Sequence, residues 1–227
     1  RFRLMPKIQA LFNIHYPQGA EQLQKASFRL KFEEFFFVQI RLLKMKLTRT
    51  RKYKGMAFRE TSLLNTFYND HLPFELTGAQ KKVIREIYED MKSGLQMNRL
   101  LQGDVGSGKT IVAFICMLLV ISENAQATLM APTEILAEQH FRNLKQFADL
   151  LSLNIHLLTG STKKKDRRVM HEQLMDGSIH ILVGTHALLE EEVQFNNLGL
   201  AVIDEQHRFG VAQRAKLWSK NQNYYPH

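Results

Sequence analysis

Eight residues constrain this chain more than any others: Gly103-Asp104-Val105-Gly106-Ser107-Gly108-Lys109-Thr110. They fit the pattern G-x-x-x-x-G-K-[ST] at every defined position. The stretch before them, Arg99 to Gln102, reads as a strand, and the apolar run after them, Ile111 to Ile121, reads as a helix. Glycines let a backbone approach an anion with no Cβ in the way. The N–H groups of such a loop, and of the helix it opens, converge on a phosphate. In this pattern Lys109 reaches the β- and γ-phosphates, while Thr110 ligates Mg2+. The plain alternative is a glycine-rich turn with an exposed lysine. The strand before and the helix after favour a nucleoside triphosphate, with Mg2+ beside it.

A strand–loop–helix of this kind needs a sheet around it. Short apolar runs recur near residues 99–102, 127–131, 155–158, 180–183 and 199–203, with helical patterns between most of them. Strands that alternate with helices predict a largely parallel sheet covered on both faces, an α/β fold. Before the loop, LTGAQKKVIREIYEDMKSG predicts a helix. Thr77 is its N-cap, Val83, Ile84, Ile87 and Met91 its apolar face, and Gly94 its stop. The last apolar run ends at two adjacent acids, Asp204 and Glu205. Two carboxylates at the end of a buried strand are costly unless a cation meets them. Ligands bind at the carboxyl ends of parallel strands, so the expected cation is Mg2+ on the bound nucleotide. Asp204 would hold it through water, and Glu205 would orient the attacking water.

Charge divides the chain. Residues 1–60 hold 14 Lys/Arg against 4 Asp/Glu, and residues 61–227 hold 17 against 18. Arg41 to Arg59 carries eight basic residues and no acid. Two readings stay open: contact with a polyanion such as nucleic acid, or a solvated helix end that pairs with acids elsewhere. Residues 20–47 have helical periodicity, and the apolar cluster EEFFFVQIRLL within them is expected to pack on something. A boundary is expected near residue 60.

The single cysteine, Cys116, excludes a disulfide framework, and its apolar surroundings predict an inert core thiol. No run is long enough to span a bilayer, and there is no signal peptide, so a cytoplasmic protein is the default. The chain starts at Arg1 and ends at NQNYYPH without a finished element. It is expected to be a piece of a longer protein.

With GDVGSGKT, the segment DEQH at 204–207 looks like a superfamily-two helicase motor. The elements DEQHRFGV (204–211), GTHALL (184–189), APTEILAEQH (131–140), LLTG (157–160) and LPFELTGAQ (72–80) together resemble the RecG branch-migration DNA helicases of bacteria. The resemblance covers nearly all of residues 61–227 and extends loosely to 20–60. It implies a first RecA-like P-loop lobe at 61–227, preceded by a basic helical linker at 1–60 that joins a wedge domain to the motor. It implies that Gln80 reads the adenine edge and that Phe74 packs on the base. The helix begun by Thr133 and Glu134, and the loops at Gly160-Ser161 and Thr185-His186, would line the DNA track. His207 would couple the ATP site to DNA. The run Lys163-Lys164-Lys165 with Arg167-Arg168 reads as a solvated helix start, with phosphate contact as its alternative.

The implied activity is ATP-driven remodelling of forks and Holliday junctions in DNA repair and recombination. The partners are branched DNA, a second motor lobe and a wedge domain. A lobe without its partner lobe's arginine fingers is expected to bind nucleotide weakly and not to unwind DNA. A transcription-repair coupling translocase and an RNA helicase share the motor motifs and remain alternatives. A metabolic P-loop kinase would leave DEQH and the basic arm unexplained.

Overall fold

The computed structural model describes residues 3–221 and 223–227, without the side chains of 49–52. Arg1 and part of the terminal NQNYYPH therefore lie outside the described residues, as do the side chains of Arg49, Arg51 and Lys52 from the basic run. The chain divides into two compact units, Arg1–Lys52 and Tyr53–His227. The second unit thus begins before the boundary expected near residue 60. Phe58 is the reason: it is fully buried in that unit's core, and its N–H donates to Met91 O.

The first unit is a helical hairpin. Helix α1 (Lys7–His15) packs on α2 (Ala20–Lys52) where Ala10 and Ala26, both fully buried, let the backbones approach. Glu33 ties the pair to Lys7 at 2.5 Å and to Arg29 at 2.8 Å. Nine residues of helix span only about 14 Å, whereas α2 is roughly 50 Å long. The expectation that EEFFFVQIRLL is covered therefore fails within the described residues. Phe35, Phe36, Phe37 and Val38 are all exposed, and Phe32 and Phe36 stack on each other along the helix surface.

The second unit is an α/β layer structure. Strands β1 (Gln126–Met130), β2 (Ile155–Leu158), β3 (Ile181–Gly184) and β4 (Leu198–Ile203) form one parallel sheet in the order β2-β3-β1-β4. Side chains alternate between its faces as the two-residue period requires. Ala127, Leu129, Ile181, Val183 and Leu200 enter one core, with α5 (Lys109–Ile121) and α6 (Glu134–Leu150). Met130, Leu158, Leu182 and Leu198 enter the other, with α7 (Lys164–Met175) and Leu217 of α8 (Val211–Trp218). Helix α5 is buried along nearly its whole length, as its continuous apolar run predicts. Helix α4 (Gly78–Lys92) packs against it, capped and stopped as expected: Thr77 and Gln80 form a capping box, and Gly94 adopts φ 72°.

Residues 99–102 form no strand, contrary to the sequence reading. The outer edge of β4 is taken by the chain terminus: Ala201 N–H donates to His227 O, and His227 N–H to Gly199 O. On the other side Met97 N–H donates to His227 Nδ1, and the Gln96 amide to Pro226 O. The segment leading into the loop is thus held one step away from the sheet, and without a ladder it is extended coil. The short helix α3 (Ser62–Thr66) and the π-turn Phe67–His71 carry no periodicity that the sequence reveals. They bring Phe67 into an aromatic cluster with Phe114 and Phe147, at centroid distances of 5.1 and 5.4 Å.

Candidate active site

The glycine-rich loop lies between the coil at 97–102 and the start of α5. Gly108 is the N-cap of α5 with φ 79°, and Gly106 adopts φ 80°. Both lie in the left-handed region that glycine alone adopts freely. A Cβ on Gly108 would also collide with the Gln80 amide. No side chain caps α5, so its first N–H groups, at the positive end of the helix dipole, stay available to an anion. Lys109 Nζ donates to Gly103 O and Asp104 O, each at 2.8 Å, and holds the loop closed on itself. A phosphate would draw the same ammonium away from these neutral carbonyls.

A cleft of about 440 Å3 opens beside the loop, lined by Phe74, Thr77, Gln80, Gly108, Thr110 and Ile111, with Asn143, Gln146 and Phe147 of α6 opposite. Its size and its mix of aromatic walls and amides suit a nucleobase. Phe74 is half exposed there, which leaves its ring available for packing. Gln80 has more partners than the sequence suggested. Its Oε1 accepts from Thr77 N–H at 2.8 Å, and its Nε2 donates to Ser107 O at 2.9 Å. One amide hydrogen remains for a base. Asn143 and Gln146 escaped the sequence reading. With Phe147 they share one helical face, and that spacing could have revealed them.

The acid pair stands where the sequence put it, at the carboxyl end of β4. Asp204 N–H donates to Met130 O at 2.9 Å, which extends the β1–β4 ladder by one residue. Glu205 then turns the chain with φ 47° into a short 3-10 turn, Gln206–Arg208. Asp204 Oδ2 meets His140 Nε2 at 2.8 Å, and Glu205 lies 3.4 Å from His207 Nδ1. His140, the last residue of APTEILAEQH, received no role in the sequence reading. Its signal was its place on the α6 face that also carries Asn143 and Phe147. Among the described residues no three His, Cys, Asp or Glu side chains gather into a metal site. Thr110 and Asp204 are oxygen donors of the kind Mg2+ takes when phosphates and water complete its shell. The residues present therefore fit a nucleotide-borne Mg2+.

The expected nucleic-acid rim is only partly assembled. Thr133 caps α6, its hydroxyl accepting from Leu136 N–H at 3.3 Å. Glu134 accepts from Ser161 N–H at 3.1 Å and from Ser161 Oγ at 3.0 Å, beside Gly160. These bonds, the Ser161 hydroxyl first, hold its carboxyl below the usual range. Glu134, Gly160 and Ser161 are thus brought together. Thr185 is not part of that group: it is 2% exposed, its N–H donates to Leu158 O, and its hydroxyl is buried. Of the 185–186 pair, His186 is the exposed member. In the basic run, Arg167 is structural: it pairs with Glu190 at 2.6 Å and donates to Thr159 O at 2.7 Å. Lys163, Lys164 and Lys165 are exposed at the start of α7.

Residues 77–224 match the family described as DEAD/DEAH box helicase. The chain is 47% identical over 220 residues to the ATP-dependent DNA helicase RecG of Synechocystis, and 44% identical over 223 residues to that of Streptococcus pneumoniae. These matches cover 97% and 98% of the chain but only 26% and 33% of the relatives. The chain thus spans about a quarter to a third of their length. A solved structure of RecG bound to a three-way DNA junction superposes with a TM-score of 0.82 at 40% identity, over 92% of this chain and 28% of that one. The helicase MrfA shares the fold, with a TM-score of 0.51 at 19% identity over 65% of this chain and 24% of that one. The chain belongs to the DEAD/DEAH box helicase family, and its α/β unit is a RecA-like lobe similar to part of RecG.

Proposed function

We propose that this chain is the nucleotide-binding lobe of a bacterial motor that hydrolyses ATP to move on DNA and remodel forks and Holliday junctions in repair and recombination. One observation carries the reading: a phosphate loop, a base-sized cleft and an Asp–Glu pair lie on the lobe that resembles RecG along nearly the whole chain. The RecG structure that superposes on it holds a three-way junction. Phe74 and Gln80 hold the base. The loop from Gly103 to Thr110 receives the phosphates, with Lys109 at the β- and γ-groups. Thr110 and Asp204 would hold Mg2+, which would supply neutralising positive charge beside the phosphates. Glu205 orients a water in line with the γ-phosphate and accepts its proton. The α6 N-terminus and the Gly160-Ser161 loop take the DNA backbone, with phosphate replacing the Glu134 carboxylate on the Ser161 donors.

The test is ATP hydrolysis by the intact protein with no nucleic acid, a four-way DNA junction, linear duplex DNA and structured RNA. The expected result is strong stimulation by the junction, abolished by Lys109→Ala together with nucleotide binding. Stimulation by RNA alone would transfer the motor to the RNA helicases. Stimulation by linear duplex as strong as by the junction would instead favour a translocase without branch preference.

A further inference from the structure

Asp204 can serve a cation only if its carboxylate is held in the right rotamer, and the residue that holds it is His140. The ring sits in the middle of α6 with its side chain 16% exposed, and Nε2 lies 2.8 Å from Asp204 Oδ2. The helix beneath it is fixed along its length. Thr133 caps it, Ala137, Leu144 and Ala148 are fully buried, and Phe147 packs on Phe67 at 5.4 Å. His140 Nδ1 is buried and has no hydrogen-bond partner among the described residues. A proton there would be a buried donor without an acceptor, the costlier of the two possibilities. The ring proton therefore belongs on Nε2, where Asp204 accepts it. A donor at this position orients the carboxylate. It engages Oδ2, and Oδ1 makes no hydrogen bond to the described residues.

We propose that His140 is a positioning residue for Asp204: its Nε2–H fixes the carboxylate so that the other oxygen serves the nucleotide-borne Mg2+. The proposal rests on the reading of Asp204 as the Mg2+ acid. His140 acts through Asp204 and touches neither nucleotide nor reacting atoms. Partners that hydrogen-bond a metal-binding carboxylate commonly change metal affinity 10- to 100-fold when removed. The arrangement also places three parts of the site on one rigid element. Glu134 at the start of α6 binds the Ser161 loop, His140 binds Asp204, and Asn143, Gln146 and Phe147 line the base cleft.

The test compares His140→Ala and His140→Gln in the intact protein, since a glutamine amide can place an N–H near the position of Nε2. Two quantities are read: the Mg2+ concentration that gives half-maximal DNA-stimulated ATP hydrolysis, and the affinity for a fluorescent ATP analogue in Mg2+ and in EDTA. The alanine variant should need about tenfold more Mg2+ or beyond. Its binding in EDTA should be unchanged, and glutamine should restore most of the Mg2+ response. An unshifted Mg2+ response in His140→Ala overturns the proposal. So does an equal loss of binding in Mg2+ and EDTA in both variants, since that marks His140 as packing for α6. If the alanine variant fails to fold, His140→Asn, whose amide is too short to reach Asp204, takes its place against His140→Gln. Wild-type binding that ignores Mg2+ refutes the reading of Asp204 as the Mg2+ acid, and binding that survives Lys109→Ala refutes the nucleotide site itself. Normal wild-type behaviour with insensitive His140 variants refutes only the role of His140.

Discussion

Gln80 shows how one side chain can serve a helix and a loop together. Its carbonyl caps α4 through Thr77 N–H, and its amide holds Ser107 O of the phosphate loop. Gln80→Ala should lower stability by about 1 kcal/mol through loss of the cap, and should also weaken nucleotide binding. Thr77→Ala removes the reciprocal cap bond yet keeps the Ser107 contact. It should cost similar stability in urea unfolding with a smaller loss of binding. Equal binding losses in the two variants would assign the whole effect to the helix cap. Cys116 is a second residue-scale case. Burial pushes its thiol up to about 12, so it should resist a thiol reagent in the native protein and react only on unfolding. Rapid labelling under native conditions would show that α5 opens locally.

At the scale of elements, β4 depends on a close approach. Gly199 faces Phe58 so tightly that an added Cβ would lie 2.6 Å from the ring edge and 3.1 Å from Ala125 Cβ. Phe58 is fully buried and stacks edge-on against His227 at 5.5 Å, so the ring has nowhere to go. Gly199→Ala should therefore destabilise the protein by about 1–3 kcal/mol through overpacking. Phe58→Leu should relieve part of that loss when the two are combined. A double-mutant cycle with no coupling would mean that the strain is relieved elsewhere. The same ring explains why the second unit begins before residue 60: residues 53–58 carry the side chain that closes this core. Helix α6 shows the converse. Its buried face was legible as periodicity, but its polar positions 140, 143 and 146 acquire meaning only from what stands across from them.

Across the whole molecule, three histidines link stability to pH. His156, His180 and His227 are each held below the ordinary histidine value by burial. In the unfolded chain they take up protons as pH falls through about 6.5, whereas the folded chain resists. The unfolded state then binds more protons, and stability declines as pH is lowered below that value. Above about 6.5 the contribution is complete. Glu123, held low by the Arg59 and Glu60 N–H groups, adds a loss that begins as pH falls through the ordinary carboxylate value. The urea midpoint should therefore fall from pH 7 to pH 5 and continue to fall below pH 4.5. A flat profile between pH 7 and 5 would show that these rings are protonated equally in both states.

Much of this protein is written in local patterns. The glycine-rich turn before α5, the Thr77 cap of α4, the buried helix α5, four of the five apolar runs as strands and the two acids at the end of the last one all follow from residue type and spacing. Backbone conformation, helix period and strand alternation are short-range properties, so they survive reading in one dimension. Other features depend on residues far apart in the chain. Residues 99–102 have strand composition, but a strand needs a ladder, and the β4 edge beside them is held by His227. Thr185 has the hydroxyl that a phosphate contact wants, yet folding buries it where β3 ends. His140 is an ordinary polar residue on a helix until β4 brings Asp204 to within 2.8 Å of it. Those outcomes are pairwise contacts across 26 to 130 positions of chain, and only the packed sheet decides which pairs meet.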